Sequence, residues 1–413
     1  MRPAAPLFGH WLPHVGAGTV PAMLIAVVVV WYGPVVAARL AWPRLLWAAW
    51  AAAVAWAFAL AMVDGWERGF AGRLTTRHEY LWEVGGVADI GAMLREFSGR
   101  ILDFQPDSWT THVSGHPPGA LLVFVLLERV GLGGGAWAAW VCVLAGCSAA
   151  AAVSVAIRAL GSEQRARAAV PFLVLAPAAI WLAVSADALF AGVAAWALAL
   201  LAVATRLEKH WRVAAVVSGL LFGFAVYLNY GLILMAVPAA AVLAARGLRP
   251  AVMLAAGALA VVAVFTVAGF WWYDGYQLVV QRYYQGIADT RPYGYWVWAN
   301  LAATVCATGL ATAAGLTRVV PALHLGALSG PTRLRRWRAA VDPAALLAVA
   351  AAAAILLADA SGLSKAETER IWLPFEVWLL AATALLPSRA VRAWLSLQAA
   401  GTLLVSHLIL TSW

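Results

Sequence analysis

Charge is scarce in this chain. Charged residues make up 11% of its 413 positions, where soluble domains carry about 25%. Hydrophobic residues reach 64% and the mean hydropathy is +0.83. This excludes a set of water-soluble domains, and no hydrophilic stretch is long enough to form one separately. Cysteine is nearly absent. Cys142, Cys147 and Cys306 lie in apolar runs and read as small core residues, since buried free cysteine packs as a small hydrophobe. Cys142 and Cys147 stand five apart on one expected helix, a poor geometry for a bridge. No cysteine set has metal-site spacing. Lysine occurs twice, at Lys209 and Lys365, and asparagine twice, at Asn229 and Asn300. There is no G-x-x-x-x-G-K-[ST] run, and Gly133-Gly134-Gly135 reads as a turn, so a nucleotide-phosphate cradle is excluded.

Long apolar runs fill the space that charge leaves. A bilayer core needs about 20 apolar residues per helix. Twelve runs qualify as expected spans, at 20–39, 45–63, 138–158, 167–183, 188–205, 213–228, 231–246, 250–270, 297–316, 343–359, 371–387 and 393–411. The expected fold is all-α: one polytopic membrane bundle over 1–413. The first run has the apolar length of a signal peptide, but Trp31 and Tyr32 interrupt it, so it is taken as a retained helix.

The net charge of +9 would suggest nucleic acid in a soluble protein. Here its distribution is informative. One set of alternating loops holds 17 basic and three acidic residues, including Arg158, Arg165, Arg167 and the Arg-rich 317–342 loop. The other set holds 11 basic and 16 acidic residues. The positive-inside rule makes the first set cytoplasmic, puts both termini outside, and leaves no nucleic-acid partner to expect. Chemistry is then expected outside, on the 64–137 and 271–296 segments and the short loop 360–370.

Several residues on those segments stand out. Glu79, after Arg77 and His78, is a candidate general base, the carboxylate type that takes a proton from a hydroxyl; the alternative is a surface carboxylate paired with Arg77. His112 and His116 are four apart before Pro117-Pro118, where proline opens a helix over 118–131 expected to lie along the interface. With Asp107 the two could ligate a metal, but the Ser114-Gly115 step and the prolines favour orienting roles. Asp187, between two apolar runs, is either a functional ionisable group or a helix N-cap. Asn229-Tyr230 either shapes a turn or meets a ligand. Arg282, Tyr283, Arg291 and Tyr293 belong to an aromatic segment suited in part to the membrane interface and in part to sugar and phosphate. Lys365 and Arg370 could clamp a lipid phosphate, Arg as a planar fork and Lys as a point charge; the alternative is helix-end charge neutralised by Glu367 and Glu369. Glu376, one turn inside the membrane, needs a partner, with Arg370 or Lys365 as candidates.

In this order the motifs resemble those of the GT-C glycosyltransferases, within them the protein O-mannosyltransferase and aminoarabinose-transferase branch. An acidic step before Tyr and a basic-Pro-Pro step stand here as His78-Glu79-Tyr80 and His116-Pro117-Pro118. The Ser/Thr-x-Asp-Ala-Leu signature appears as Ser185-Ala186-Asp187-Ala188-Leu189, the Lys-Tyr step as Leu228-Asn229-Tyr230-Gly231, and the Arg-Tyr-Leu-x-Pro step as Arg370-Ile371-Trp372-Leu373-Pro374. The likeness runs from about residue 60 to 390. His78 replaces the family's leading Asp, Asn229 its Lys, and a helix precedes the usual first span. The Thr110–Gly119 and Glu369–Pro374 runs, in an Arg-rich and Lys-poor chain, look like an actinobacterial group that includes methylthioxylose transferases.

The resemblance implies an inverting transferase in the plasma membrane. It would move a sugar from a polyprenyl-phosphate donor to a glycan, lipoglycan or other hydroxyl acceptor outside. Glu79 would be the base and Asp187 its assistant. Lys365 and Arg370 would bind the donor phosphate. His78, Tyr80, His112, His116, Asn229, Tyr230, Arg282, Tyr283, Arg291 and Tyr293 would contact substrates. It implies no cofactor and no resident metal, although a divalent ion stays open, as does the oligomeric state. The alternatives are a multi-pass secondary transporter and a non-catalytic membrane scaffold. The charges at the rim rather than the midplane, and the absence of matching halves, speak against the transporter.

Overall fold

The structure, a computed structural model, describes residues 2–328 and 332–412. It is an all-α helical bundle of the polytopic membrane kind. Among the described residues, six helices are long and apolar enough to cross a membrane: Thr19–Arg39, Trp42–Asp64, Gly135–Ala159, Asp187–Arg206, Trp211–Leu228 and Pro343–Ala360. Two bent pairs raise that number to eight if each counts as one span. The expectation of twelve spans is corrected accordingly, because several apolar runs are not single long helices. The run at 167–183 breaks into Glu163–Val174 and a short 3-10 turn, Pro177–Trp181. Pro177 has no N–H to continue the helix and disfavours helical backbone before it. The run at 231–246 begins as a 3-10 turn at Tyr230–Met235, and Leu373–Leu379 passes into another at Leu380–Leu385.

The bends lie at glycines in left-handed backbone. Gly269 (φ +101°) separates Ala251–Val267 from Trp272–Gln285, which meet at 75°. Gly309 (φ +85°) separates Tyr293–Thr308 from Leu310–Leu316, which meet at 109°. The first bend turns the aromatic 272–285 helix out of line with the apolar helix before it.

Small residues set the helix spacing. Gly135–Ala159 and Asp187–Arg206 pack closely where Gly192 meets the backbone of Ala145 and Gly146 meets Ala188. A Cβ at Gly192 would overlap the Ala145 carbonyl oxygen. In a bilayer, where apolar burial between helices gains little, such close approach supplies the dispersion contacts that hold helices together. Five tryptophans, Trp56, Trp109, Trp181, Trp372 and Trp378, are fully buried.

The Arg-rich loops touch one another. Arg167 donates to the carbonyls of Ala37 (2.7 Å) and Leu40 (2.9 Å), and Arg165 to Asp342 and the Ala384 carbonyl (both 2.7 Å). Arg206 donates to the Arg158 carbonyl (3.0 Å) and Arg338 to that of Ala244 (2.7 Å). Most of these acceptors are carbonyls at helix C-termini, which the helix itself leaves unsatisfied. Elsewhere three short antiparallel strands, β1 (Arg2–Pro3), β2 (Gly9–Trp11) and β3 (Ile409–Thr411), pair in that order. The 118–131 helix is observed as Pro118–Arg129. One side of it is buried, with Gly119 against the Tyr227 backbone.

Replacing Gly192 by leucine should lower the unfolding midpoint in detergent by the equivalent of about 1–3 kcal/mol, the cost of overpacking a tight contact. An unchanged midpoint would refute the close approach.

Candidate active site

Glu79 precedes the short helix Tyr80–Val84 in extended backbone (φ −101°). Its side chain is 5% exposed, and Oε1 lies 2.8 Å from His112 Nδ1. Arg77 turns instead to His78, donating from Nε to Nε2 at 3.2 Å. The expected alternative for Glu79, a surface pair with Arg77, is therefore not what the chain forms. His112 reaches Glu79 because the 78 and 112 segments are stitched together: the His112 N–H donates to the His78 carbonyl at 3.0 Å.

On its other side His112 Nε2 lies 3.1 Å from Arg370 Nη2. A guanidinium can only donate, so Nε2 accepts and Nδ1–H donates to Glu79. Arg370 donates from Nη1 to Asp187 Oδ2 at 2.7 Å and from Nη2 to Glu367 Oε2 at 2.8 Å. Glu367 Oε1 in turn meets Arg291 Nη2 at 3.5 Å. Asp187 is not the N-cap; that position is Ala186, without a side-chain cap. Ser185 Oγ accepts from the Asp187 N–H (3.1 Å) and donates to Asp187 Oδ2 (2.7 Å), which leaves the carboxylate directed at Arg370. The side chains of Asp187 and Arg370 are 2% and 6% exposed.

The electrostatics follow from this geometry. Burial works to raise the Glu79 pKa, but contact with His112 and the nearby Arg370 and Arg73 overcome it and hold the carboxylate below its ordinary range. Burial works to lower Arg370, yet Asp187, Glu367 and Glu79 raise it above its usual value. His116 lies against Tyr80 and Phe190 and donates to the His112 carbonyl; burial pushes it down to about 4. Glu79 is thus a buried carboxylate held below its ordinary pKa range and oriented by a histidine that Arg370 holds in one tautomer.

Other sequence-predicted residues are placed variously. Tyr80 is buried beneath His112 and against Phe124. His78 lies at the rim, Nδ1 3.4 Å from Thr111 Oγ1. Arg282 pairs with Asp103 and donates to Ser114 Oγ at 3.2 Å, two residues from His112. Tyr283 accepts from the Lys365 N–H at 3.0 Å. Lys365 Nζ is directed at the Ala288 carbonyl (3.1 Å) and over the Tyr284 ring, while Arg370 points into the carboxylate cluster. Asn229 and Tyr230 take no part in the network. Asn229 caps the 230–235 turn through the Gly231 N–H, and Tyr230 packs among Trp272 and Tyr276. Tyr293 is exposed beside Gly362. Glu376 meets neither expected cation: it is fully buried beside Thr304 and Glu369, and Glu369 accepts from the Phe8 N–H.

Three residues escaped the sequence. Glu367 was legible only as a charge neutralising the helix end, not as a bridge between two arginines. Ser185 lies inside a noted motif, yet its role depends on a local fold-back. Asn300 donates to Asp359 (2.9 Å) and the Ser364 carbonyl (2.7 Å) and accepts from Ala366 N–H (3.2 Å), which ties down the loop bearing Lys365 and Glu367. The rarity of asparagine was its one signal. No group of three or more His, Cys, Asp or Glu able to hold a metal occurs among the described residues.

Fold and site together define a polytopic helical membrane protein with a buried ion network among its loops. Its fold is shared with ArnT from Cupriavidus metallidurans in the apo state, at 20% identity and a TM-score of 0.52 over 82% of this chain and 60% of that one. More distant are the apo oligosaccharyltransferase of Archaeoglobus fulgidus (12% identity, TM-score 0.48, 84% of this chain and 50% of that one) and AglB from the same organism with an inhibitory peptide and a dolichol-phosphate (11%, 0.45, 83% and 50%). The chain spans three fifths or less of the length of these structures. No family model and no curated protein matches it.

Arg370→Met should destabilise the protein by about 3–5 kcal/mol in detergent unfolding, because it strands buried carboxylates, and adding Asp187→Leu should recover much of that loss. No recovery in the double variant would count against the pair as the source. Glu79 has a depressed folded-state pKa, so its stabilisation is present above the ordinary carboxylate value of 4.5 and is lost as pH falls through the folded value. Glu79→Gln should therefore flatten the acid limb of a stability-against-pH curve below about pH 5; an unchanged limb would show that Glu79 does not carry it.

Proposed function

We propose that this chain is an integral-membrane glycosyltransferase. It moves a sugar from a polyprenyl-phosphate donor to a hydroxyl of a glycan, lipoglycan or other acceptor outside the cytoplasmic membrane. The observation that carries this is Glu79: a buried carboxylate kept ionised and met by His112, in a fold shared with ArnT. His112 meets Glu79 at Oε1, and the carboxylate is the group that receives a proton. The acceptor O–H gives that proton to Glu79 as its oxygen attacks the anomeric carbon. The bond from that carbon to the phosphate oxygen breaks, and polyprenyl phosphate leaves with the electron pair. Attack opposite the leaving group inverts the anomeric centre. Arg370 and Lys365 offer positive charge to the leaving phosphate, and Asp187 holds Arg370 in place. Arg282, Tyr283 and Tyr293, on or beside the aromatic 272–285 helix, present hydrogen-bonding and stacking groups to the sugars.

Orientation follows from charge. The Arg-rich loops that contact one another form the cytoplasmic side under the positive-inside rule, and the Glu79 network, built from the other loop set, faces outward. The runs Thr110–Gly119 and Glu369–Pro374 support a narrower reading, methylthioxylose transfer to an actinobacterial envelope lipoglycan. Comparing envelope glycans with and without the gene tests that choice of donor and acceptor.

Glu79→Gln should cut transfer by purified protein by ~10²–10⁴-fold, the usual loss of a general base, while the variant still inserts and elutes as wild type at neutral pH. Transfer near the wild-type rate would remove Glu79 from the chemistry.

A further inference from the structure

Glu367 sits oddly for a carboxylate that merely balances charge. Its two oxygens meet two different arginines from separate elements, Oε2 with Arg370 at 2.8 Å and Oε1 with Arg291 at 3.5 Å. Both arginines have other anchors. Arg370 is held by Asp187 and His112. Arg291 donates from Nη1 to the Lys365 carbonyl at 2.5 Å and lies over Trp296. The guanidinium groups therefore have partners that keep them in position when the carboxylate moves. Glu367 is the most exposed of the three side chains, at 19% against 14% for Arg291 and 6% for Arg370.

The backbone that presents it is strained. Ala366 and Glu367 are consecutive non-glycine residues in left-handed conformation, φ 72° and 63°, where Cβ crowds the following carbonyl oxygen. Such strain persists where surrounding contacts over-determine it, and clusters at ligand clamps and switches. Here the contacts are Asn300 on the Ala366 N–H and the two arginines on the Glu367 carboxylate. Withdrawal of the carboxylate relieves one of them.

We infer that Arg291 and Arg370 form a phosphate-binding site that is filled in this structure by the chain's own Glu367, a latch that an incoming phosphate displaces. Two planar guanidinium forks from different directions suit a tetrahedral anion with several acceptor oxygens better than one carboxylate. The site rests on the transferase reading only for the identity of its phosphate; the anion pocket itself stands on the geometry.

The test is direct binding to the purified full-length protein in detergent, with decyl phosphate and inorganic phosphate as probes and decanol as control. Glu367→Gln should bind decyl phosphate roughly tenfold more tightly than wild type, since a neutral carboxamide holds a guanidinium with about half the strength of a carboxylate. Arg291→Met in the Glu367→Gln background should abolish the gain. A parallel gain for inorganic phosphate marks a site for phosphate itself, and a gain confined to decyl phosphate marks a lipid headgroup site; both support the latch. Unchanged or weaker binding of both probes overturns it, and Glu367→Ala provides the same comparison if the glutamine variant misfolds. Tighter phosphate binding in a protein that shows no sugar transfer would keep the latch and refute the transferase; transfer with unchanged phosphate binding would do the reverse.

Discussion

A guanidinium group does not give up its proton in a protein, so a buried arginine dictates its surroundings. Arg370 is that group here. With its side chain 6% exposed, it must be met by carboxylates, and Asp187 and Glu367 meet it. Through Nη2 it also sets the tautomer of His112, and so decides which ring nitrogen faces Glu79. Four segments distant in the chain, around residues 79, 112, 187 and 370, are held in register by one cation. A neutral residue at 370 would remove the reason for most of these contacts at once.

The bundle around this network is closely packed. Alanine and glycine at the contact between Gly135–Ala159 and Asp187–Arg206 let the backbones approach, which fixes where the N-terminus of the second helix, and with it Asp187, emerges. The bend at Gly269 turns the aromatic 272–285 helix 75° away from the apolar helix before it. Arg282 and Tyr283 on that helix then reach Ser114 and the Lys365 backbone. Packing by small residues and bending at two glycines thus deliver side chains that carry little packing energy themselves to one place.

Much of the architecture was legible because membrane insertion writes itself in composition. Long apolar runs, and arginines gathered in alternate loops, follow from the cost of unsatisfied backbone and buried charge in lipid. The number of long helices was less legible. Pro177 and the 3-10 turns at 230–235 and 380–385 interrupt runs whose hydropathy alone looks continuous. Of the site, Glu79, His112, Asp187 and Arg370 could be named from their motifs, but not their pairing. Arg77, two residues from Glu79, looked the natural partner, and the actual one is 33 residues away. Asp187 read equally as a cap or as a functional ionisable group; it is not the cap, and its carboxylate, bonded by Ser185, meets residue 370. Asn229 and Tyr230, conspicuous in an apolar run, serve a turn and a packing cluster.

The sequence by itself determined that this is an all-α membrane protein, which loops share a side, and which few ionisable residues stand where lipid makes charge expensive. These properties depend on composition and on neighbours along the chain. Only the tertiary structure decided which charges meet. An ion pair depends on distances of a few ångströms between segments separated by up to 183 residues, and no local pattern encodes those distances. The double bridge of Glu367 between Arg291 and Arg370 is the clearest case, because Arg291 stands 76 residues away along the chain and the carboxylate is presented by a strained turn.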